Sequence, residues 1–168
     1  MAILDVLTYP DPFLREVAEP VTEFGEALDE LITNMAETMW DEPGIGLAAP
    51  QVGVGIRLFV YDLEVSGDHG KVQVVCNPEF VLMEGREADD EGCLSVPGYT
   101  AAVKRATRVV MKGQDRYGES IELDVTALHA RLLQHETDHL NGKLFIDHLS
   151  ALKRGIFKRR LKKQAAQD

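Results

Sequence analysis

Two histidines and a glutamate stand in the order His135-Glu136-Thr137-Asp138-His139, the H-E-x-x-H spacing of a zinc-type site. Positions i and i+4 of a helix lie one turn apart, with Cβ atoms roughly 6 Å from each other. Two imidazole nitrogens can therefore converge on one ion about 2.0 to 2.1 Å from each. At about 100° per residue with Leu128 set to zero, Leu132 falls at about 40°, His135 at about −20° and His139 at about 20°, all within one apolar stripe. Glu136, at about 80°, stands beside the ion, where it can hold a metal-bound water as general base.

A catalytic site of this kind keeps three protein ligands and leaves the rest to water, so a third ligand is needed. The metzincin continuation H-E-x-x-H-x-x-G-x-x-H fits at Gly142 but places Phe145 where the last histidine belongs, and His148 comes too late. Beyond His148 the only acid is Asp168, so the ligand must come from upstream. Within Glu91-Gly92-Cys93-Leu94-Ser95-Val96-Pro97, Cys93 is the best candidate. Gly92 lets another backbone approach it closely, the residues after it should be extended, and thiolate is a strong ligand for iron or zinc. Read alone, Cys93 fits a small buried apolar side chain at least as well, and Cys76, inside an apolar run, keeps that reading.

Several elements must position these groups. A strand over 121–125 runs into Thr126, a helix cap, and the metal helix then spans 127–141 with Gly142 as its stop. An amphipathic helix over 24–40 carries Leu28, Leu31, Ile32, Met35 and Met39 at helical spacing and ends at Pro43-Gly44. Strands are expected over 56–63 and 71–76, closed by Gly67 and Asn77-Pro78, and over 80–83 and 108–112, with a hairpin turn at 115–118. A last helix covers 150–163. Helices near the ends with strands between them predict an α+β fold, with antiparallel or mixed sheets packed around the metal helix.

With 168 residues, 45% apolar and 27% charged, the chain fits one compact domain over 1–168 that needs no disulfide framework. Its only cysteines are Cys76 and Cys93, which suits a reducing cytoplasm. No apolar run approaches the roughly 18 residues of a membrane span, and the first basic residue is Arg15, so neither export nor a membrane partner is expected. The net charge of −10 is unevenly placed. Residues 1–152 hold 11 basic and 27 acidic side chains, whereas the helical tail over 153–168 holds 7 and 1. An acidic body argues against DNA, and only the tail suits a polyanion.

Two further patterns have rival readings. Gly44-x-Gly46-x-x-Ala49 matches a dinucleotide fingerprint by letters, but it follows a helix and Pro50 would break the helix required after it; a plain loop of small residues is the other reading. The acidic stretch Glu84, Glu87, Asp89, Asp90 and Glu91 lacks the alternating ligands and glycine of a calcium loop, and most of it reads as solvated surface.

Gly44-Ile45-Gly46-Leu47-Ala48-Ala49-Pro50-Gln51, Glu91-Gly92-Cys93-Leu94-Ser95 and Gln134-His135-Glu136-Thr137-Asp138-His139-Leu140 occur in this order, and with them the chain resembles a bacterial peptide deformylase over nearly its whole length. The resemblance implies a metallohydrolase that removes the formyl group from the N-terminal formylmethionine of new polypeptides and releases formate. It implies one divalent metal on Cys93, His135 and His139, Fe2+ in the cell and often Zn2+ or Ni2+ after purification, with Glu136 as the general base. Gln51 and the backbone N–H of Leu94 would bind the formyl oxygen. Ile45, Gly46 and Gly92 would border the peptide cleft and Glu91, within the second motif, would brace it, with Leu128 and Leu132 receiving the methionine side chain and the stem of Arg131 near the pocket entrance. The basic tail would dock on ribosomal RNA near the tunnel exit. Other classes are a metalloprotease and a ribosome-associated binding protein with a closed structural metal site.

Overall fold

The computed structural model describes residues 2–167. Three helices, α1 (Glu26–Asp41), α2 (Ala127–Leu140) and α3 (Ala151–Gln167), flank the strands β1 (Gly46–Ala48), β2 (Leu58–Tyr61), β3 (Gln73–Glu84), β4 (Glu87–Cys93), β5 (Val96–Arg105), β6 (Arg108–Gln114) and β7 (Ser120–Thr126). Five strands form one antiparallel sheet in the order β1-β2-β3-β6-β7, and β4 and β5 pair as a separate hairpin.

Strand β2, Leu-Phe-Val-Tyr, is buried at all four positions because the sheet is covered on both faces. Alternate side chains point to opposite sides of a strand. Leu58 and Val60 accordingly pack with Leu28, Ile32, Met35 and Met39 of α1. Phe59 and Tyr61 pack with Ala130, Leu132 and Leu133 of α2. The spacing of apolar residues in α1 therefore fixes which side of the sheet it covers, and the metal helix takes the other. A third apolar cluster, with Leu14, Val96, Val103, Leu144, Phe145 and Phe157, joins the β4–β5 hairpin to the C-terminal segment.

The structure departs from the sequence expectations in β1, β3 and β4, and in β5, a strand that they do not include. Residues 71–76 and 80–83 belong to a single strand, because β3 continues through Asn77-Pro78 by a bulge between Cys76 and Glu79. Asn77 takes a positive φ of 52°, which asparagine tolerates better than most residues, and its side chain holds Val21 through both the N–H (2.8 Å) and the carbonyl (3.0 Å). Proline has no ladder proton to lose at such a shift in register. Of the acidic stretch, Glu87, Asp89 and Asp90 are exposed as expected but lie in a strand, β4, held by its partner β5, while Glu84 ends β3 and Glu91 is buried. The loop of small residues contains β1, an edge strand paired with β2.

No helix among the described residues is long and apolar enough to cross a membrane. Both cysteines are free thiols.

Candidate metal centre

The site lies where α2, the β4–β5 hairpin and β1 meet. Helix α2 begins after Thr126, whose side chain makes no capping bond, and ends before Gly142 at a φ of 73°. The turn at Gly142 leaves no room for a side chain, since a Cβ there would stand 2.4 Å from the Arg15 carbonyl oxygen. Within α2, His135 and His139 occupy successive turns with ring centroids 5.1 Å apart. The register shift between Gly92 and Cys93 ends β4 and turns Cys93 toward them.

Cys93 Sγ and one ring nitrogen each from His135 and His139 all lie within 4.8 Å of one another. The Sγ to His139 Nε2 distance is 3.3 Å. A thiolate and two imidazoles held this closely match the donor set and spacing of a divalent cation with sulfur at about 2.3 Å and nitrogen at about 2.0 to 2.1 Å. Burial disfavours the Cys93 thiolate, but His139 and His135 beside it more than offset this and hold the thiol well below its usual range. Burial likewise disfavours a charged His135, yet its bonds to Cys93 and Glu91 raise it well above the ordinary histidine value. The pair thus shares a proton that a cation must displace on binding.

His135 Nδ1 is 2.9 Å from Glu91 Oε1. Burial would raise the Glu91 carboxyl, but hydrogen bonds from His135 and Arg105 keep it far below the usual carboxylate range. An ionised carboxylate only accepts, so Nδ1 carries a ring proton toward Glu91, and Nε2 is the nitrogen free to ligate once the proton it shares with Cys93 is displaced.

Glu136 is 4% exposed, and its Oε1 is buried without a hydrogen-bond partner. Burial raises its pKa, the direction suited to a group that takes and returns a proton. Gly46 of β1 makes room for it, since a Cβ at that position would fall 2.6 Å from Glu136 Oε2.

Gln51 is held from two sides. Its Oε1 accepts the Ala48 N–H at 2.9 Å, and its Nε2 donates to Ser95 Oγ at 3.0 Å and faces Cys93 Sγ at 3.6 Å.

These groups line a cleft of about 560 Å³. Ile45, Gly46, Gln51, Glu91, Gly92, Cys93, Leu94, Leu128, Arg131, Leu132, His135 and Glu136 all border it. Leu132 is buried, whereas Leu128 is 54% exposed and stands at the rim. The Arg131 guanidinium is not solvated: the residue is buried and bonds Glu91 Oε2 at 2.7 Å. His139 does not border the cleft; it is 1% exposed, behind Cys93.

Residues 3–155 match the family described as polypeptide deformylase. This chain belongs to that family. A deformylase of Thermodesulfovibrio yellowstonii is 49% identical over 162 residues, 96% of this chain and 98% of the relative. Another, of Syntrophobacter fumaroxidans, is 50% identical over 164 residues, 98% and 96% of the two chains. The crystal structure of a peptide deformylase from Legionella pneumophila superposes with a TM-score of 0.90 at 46% identity, covering 99% of both chains. Enzymes of the family remove the N-formyl group from the N-terminal methionine of nascent peptides and depend on a metal. The chain is therefore a metal-dependent hydrolase acting on formylmethionyl peptides.

Against this deformylase background, Arg105 and Asp138 are the site residues that sequence reasoning overlooked. Arg105 grips both oxygens of Glu91 at 2.9 Å and reaches Asp138 at 2.7 Å. Lys104-Arg105 reads as surface charge, and nothing local distinguishes the buried arginine from its exposed neighbour.

Proposed function

We propose that Cys93, His135 and His139 hold the divalent cation, Fe2+ in the cell with Zn2+ or Ni2+ able to replace it, and that Glu136 moves the protons of the hydrolysis. The observation that carries this reading is the meeting of three donor atoms within 4.8 Å beside a buried, unpartnered carboxylate oxygen. When bound, the cation supplies Lewis acidity, polarising the formyl carbonyl and making water easier to deprotonate. Glu136 takes the proton of the attacking water and delivers it to the departing amine. As the formyl carbon becomes tetrahedral, negative charge grows on its oxygen. Gln51 Nε2 and the Leu94 N–H donate to that oxygen, each contributing on the order of 3 kcal/mol to the barrier reduction. Formate leaves and a free amino terminus remains.

The substrate backbone lies along Ile45, Gly46 and Gly92 as an added strand, and its methionine side chain enters beside Leu132, with Leu128 at the rim. Loaded with Fe2+ without oxygen, the protein releases formate from formyl-Met-Ala-Ser and leaves casein intact. Glu136→Ala keeps the metal and loses about 10² to 10⁴ in turnover, while Cys93→Ala loses metal and activity together. Normal turnover by Glu136→Ala would overturn the assignment.

The enzyme acts in the cytoplasm at the ribosome, with α3 as its contact. All seven basic side chains from Lys153 to Lys163 are exposed, and Phe157 tethers the helix to the body, so RNA phosphates can meet them without the helix unfolding. Replacing those seven with glutamine while keeping Phe157 abolishes salt-sensitive cosedimentation with ribosomes and spares formate release from the tripeptide. Cosedimentation that survives the replacement rejects the contact.

A further inference from the structure

Arg131 joins the two elements that carry the ligands. Its Nη1 donates to Glu91 Oε2 at 2.7 Å and to the Val103 carbonyl at 2.8 Å, and its Nη2 donates to the Glu87 carbonyl at 2.8 Å. The first acceptor belongs to the carboxylate behind His135, and the other two belong to β5 and β4. One side chain of α2 thus fastens the hairpin that ends in Cys93 to the helix that carries both histidines.

The bonding of Glu91 is complete only with this arginine. Oε1 accepts from His135 Nδ1 and Arg105 Nη2, and Oε2 accepts from Arg105 Nε and Arg131 Nη1, which fills the roughly four acceptor sites of a carboxylate. Arg131 and Arg105 are the two guanidinium groups that face the Glu91 carboxylate, while Asp138 is shared between Arg105 at 2.7 Å and His148 at 2.8 Å. Without Arg131, Glu91 Oε2 loses a charged donor in a place where burial makes the loss costly.

We infer that Arg131 is a positioning residue of the metal centre: it acts through Glu91 to orient His135, and through the hairpin backbone to hold Cys93 at ligand distance. This rests on the metal site proposed above. Three of the five N–H donors of the guanidinium are committed to protein acceptors, all of them on the hairpin.

Partners that orient metal-ligating histidines typically change metal affinity about 10- to 100-fold when removed. Wild type, Arg131→Met and Arg131→Lys are loaded anaerobically with Co2+, and loss of the cobalt–thiolate absorption is followed after excess EDTA is added, with far-UV circular dichroism as a check on folding. Arg131→Met releases Co2+ at least about tenfold faster than wild type, and Arg131→Lys, which keeps the charge but not the fork, falls between them. Reloaded Arg131→Met keeps a near-normal KM for formyl-Met-Ala-Ser. Wild-type release rates in both folded variants overturn the inference, as does a raised KM with normal release, which would make Arg131 a substrate contact. If wild type itself develops no cobalt–thiolate band, the metal site fails and this inference with it.

Discussion

Gly46 and Glu136 define the tightest approach in the site. A methyl group at Gly46 would enter the space of the Glu136 carboxylate, 2.6 Å from Oε2 and 3.0 Å from Cδ. Glu136 is 4% exposed on a helix packed into the core, so its carboxylate has to leave its present position to make room. Gly46→Ala is therefore expected to lower kcat for formyl-Met-Ala-Ser by at least about tenfold while leaving metal content unchanged, because the ligands lie on other elements. Metal analysis alongside steady-state kinetics checks this. A variant with unchanged kcat would show that Glu136 does not need its present position. At this scale much was legible beforehand. His135, Glu136 and His139 announce themselves by residue type and spacing, whereas Cys93, which read alone fits a buried apolar side chain at least as well, and Gly46, expected only at the border of the cleft, are singled out by the resemblance of their motifs. The donors around Glu91 do not, because Arg105 and Arg131 come from β5 and α2 and only folding brings them together.

Among the elements, α3 is held differently from the other helices. Its Phe157 is 3% exposed and lies against Tyr9 and Tyr99, with ring centroids 5.5 and 4.6 Å away, whereas Leu152 and Ile156 face outward. A 17-residue helix is marginal in water without tertiary contacts. Phe157→Ala should therefore expose the backbone amides of Ala151–Gln167 to rapid hydrogen exchange while leaving those of α2 protected, as mass spectrometry of exchange-labelled peptides would reveal. Protected α3 amides in the variant would mean that another contact holds the helix. The elements also show where periodicity informs and where it does not. Helices α1 and α2 are readable because one face is apolar and the other is not. Strand β4 is opaque because five of its seven residues are exposed and only Glu91 is fully buried. Its strand character comes from the ladder with β5, which has no local signature.

In the molecule as a whole, the three proposed ligands belong to parts of the chain that are far apart in sequence. Cys93 closes a hairpin outside the main sheet, and the histidines belong to the helix packed on that sheet. An ion shared between them stabilises the folded chain by mass action, about 4 kcal/mol when free metal exceeds its dissociation constant a thousandfold. Removing it with a chelator is expected to lower the melting temperature by several degrees, and returning Co2+ or Zn2+ should restore it; calorimetry of Cys93→Ala, which cannot respond, provides the control. An unchanged melting temperature on chelation would mean that hairpin and helix are fixed independently of the ion. The cation would then serve as a removable clasp as well as a reagent. A cell short of iron would hold a less durable enzyme as well as an idle one, so supply of the metal would govern how long each copy survives.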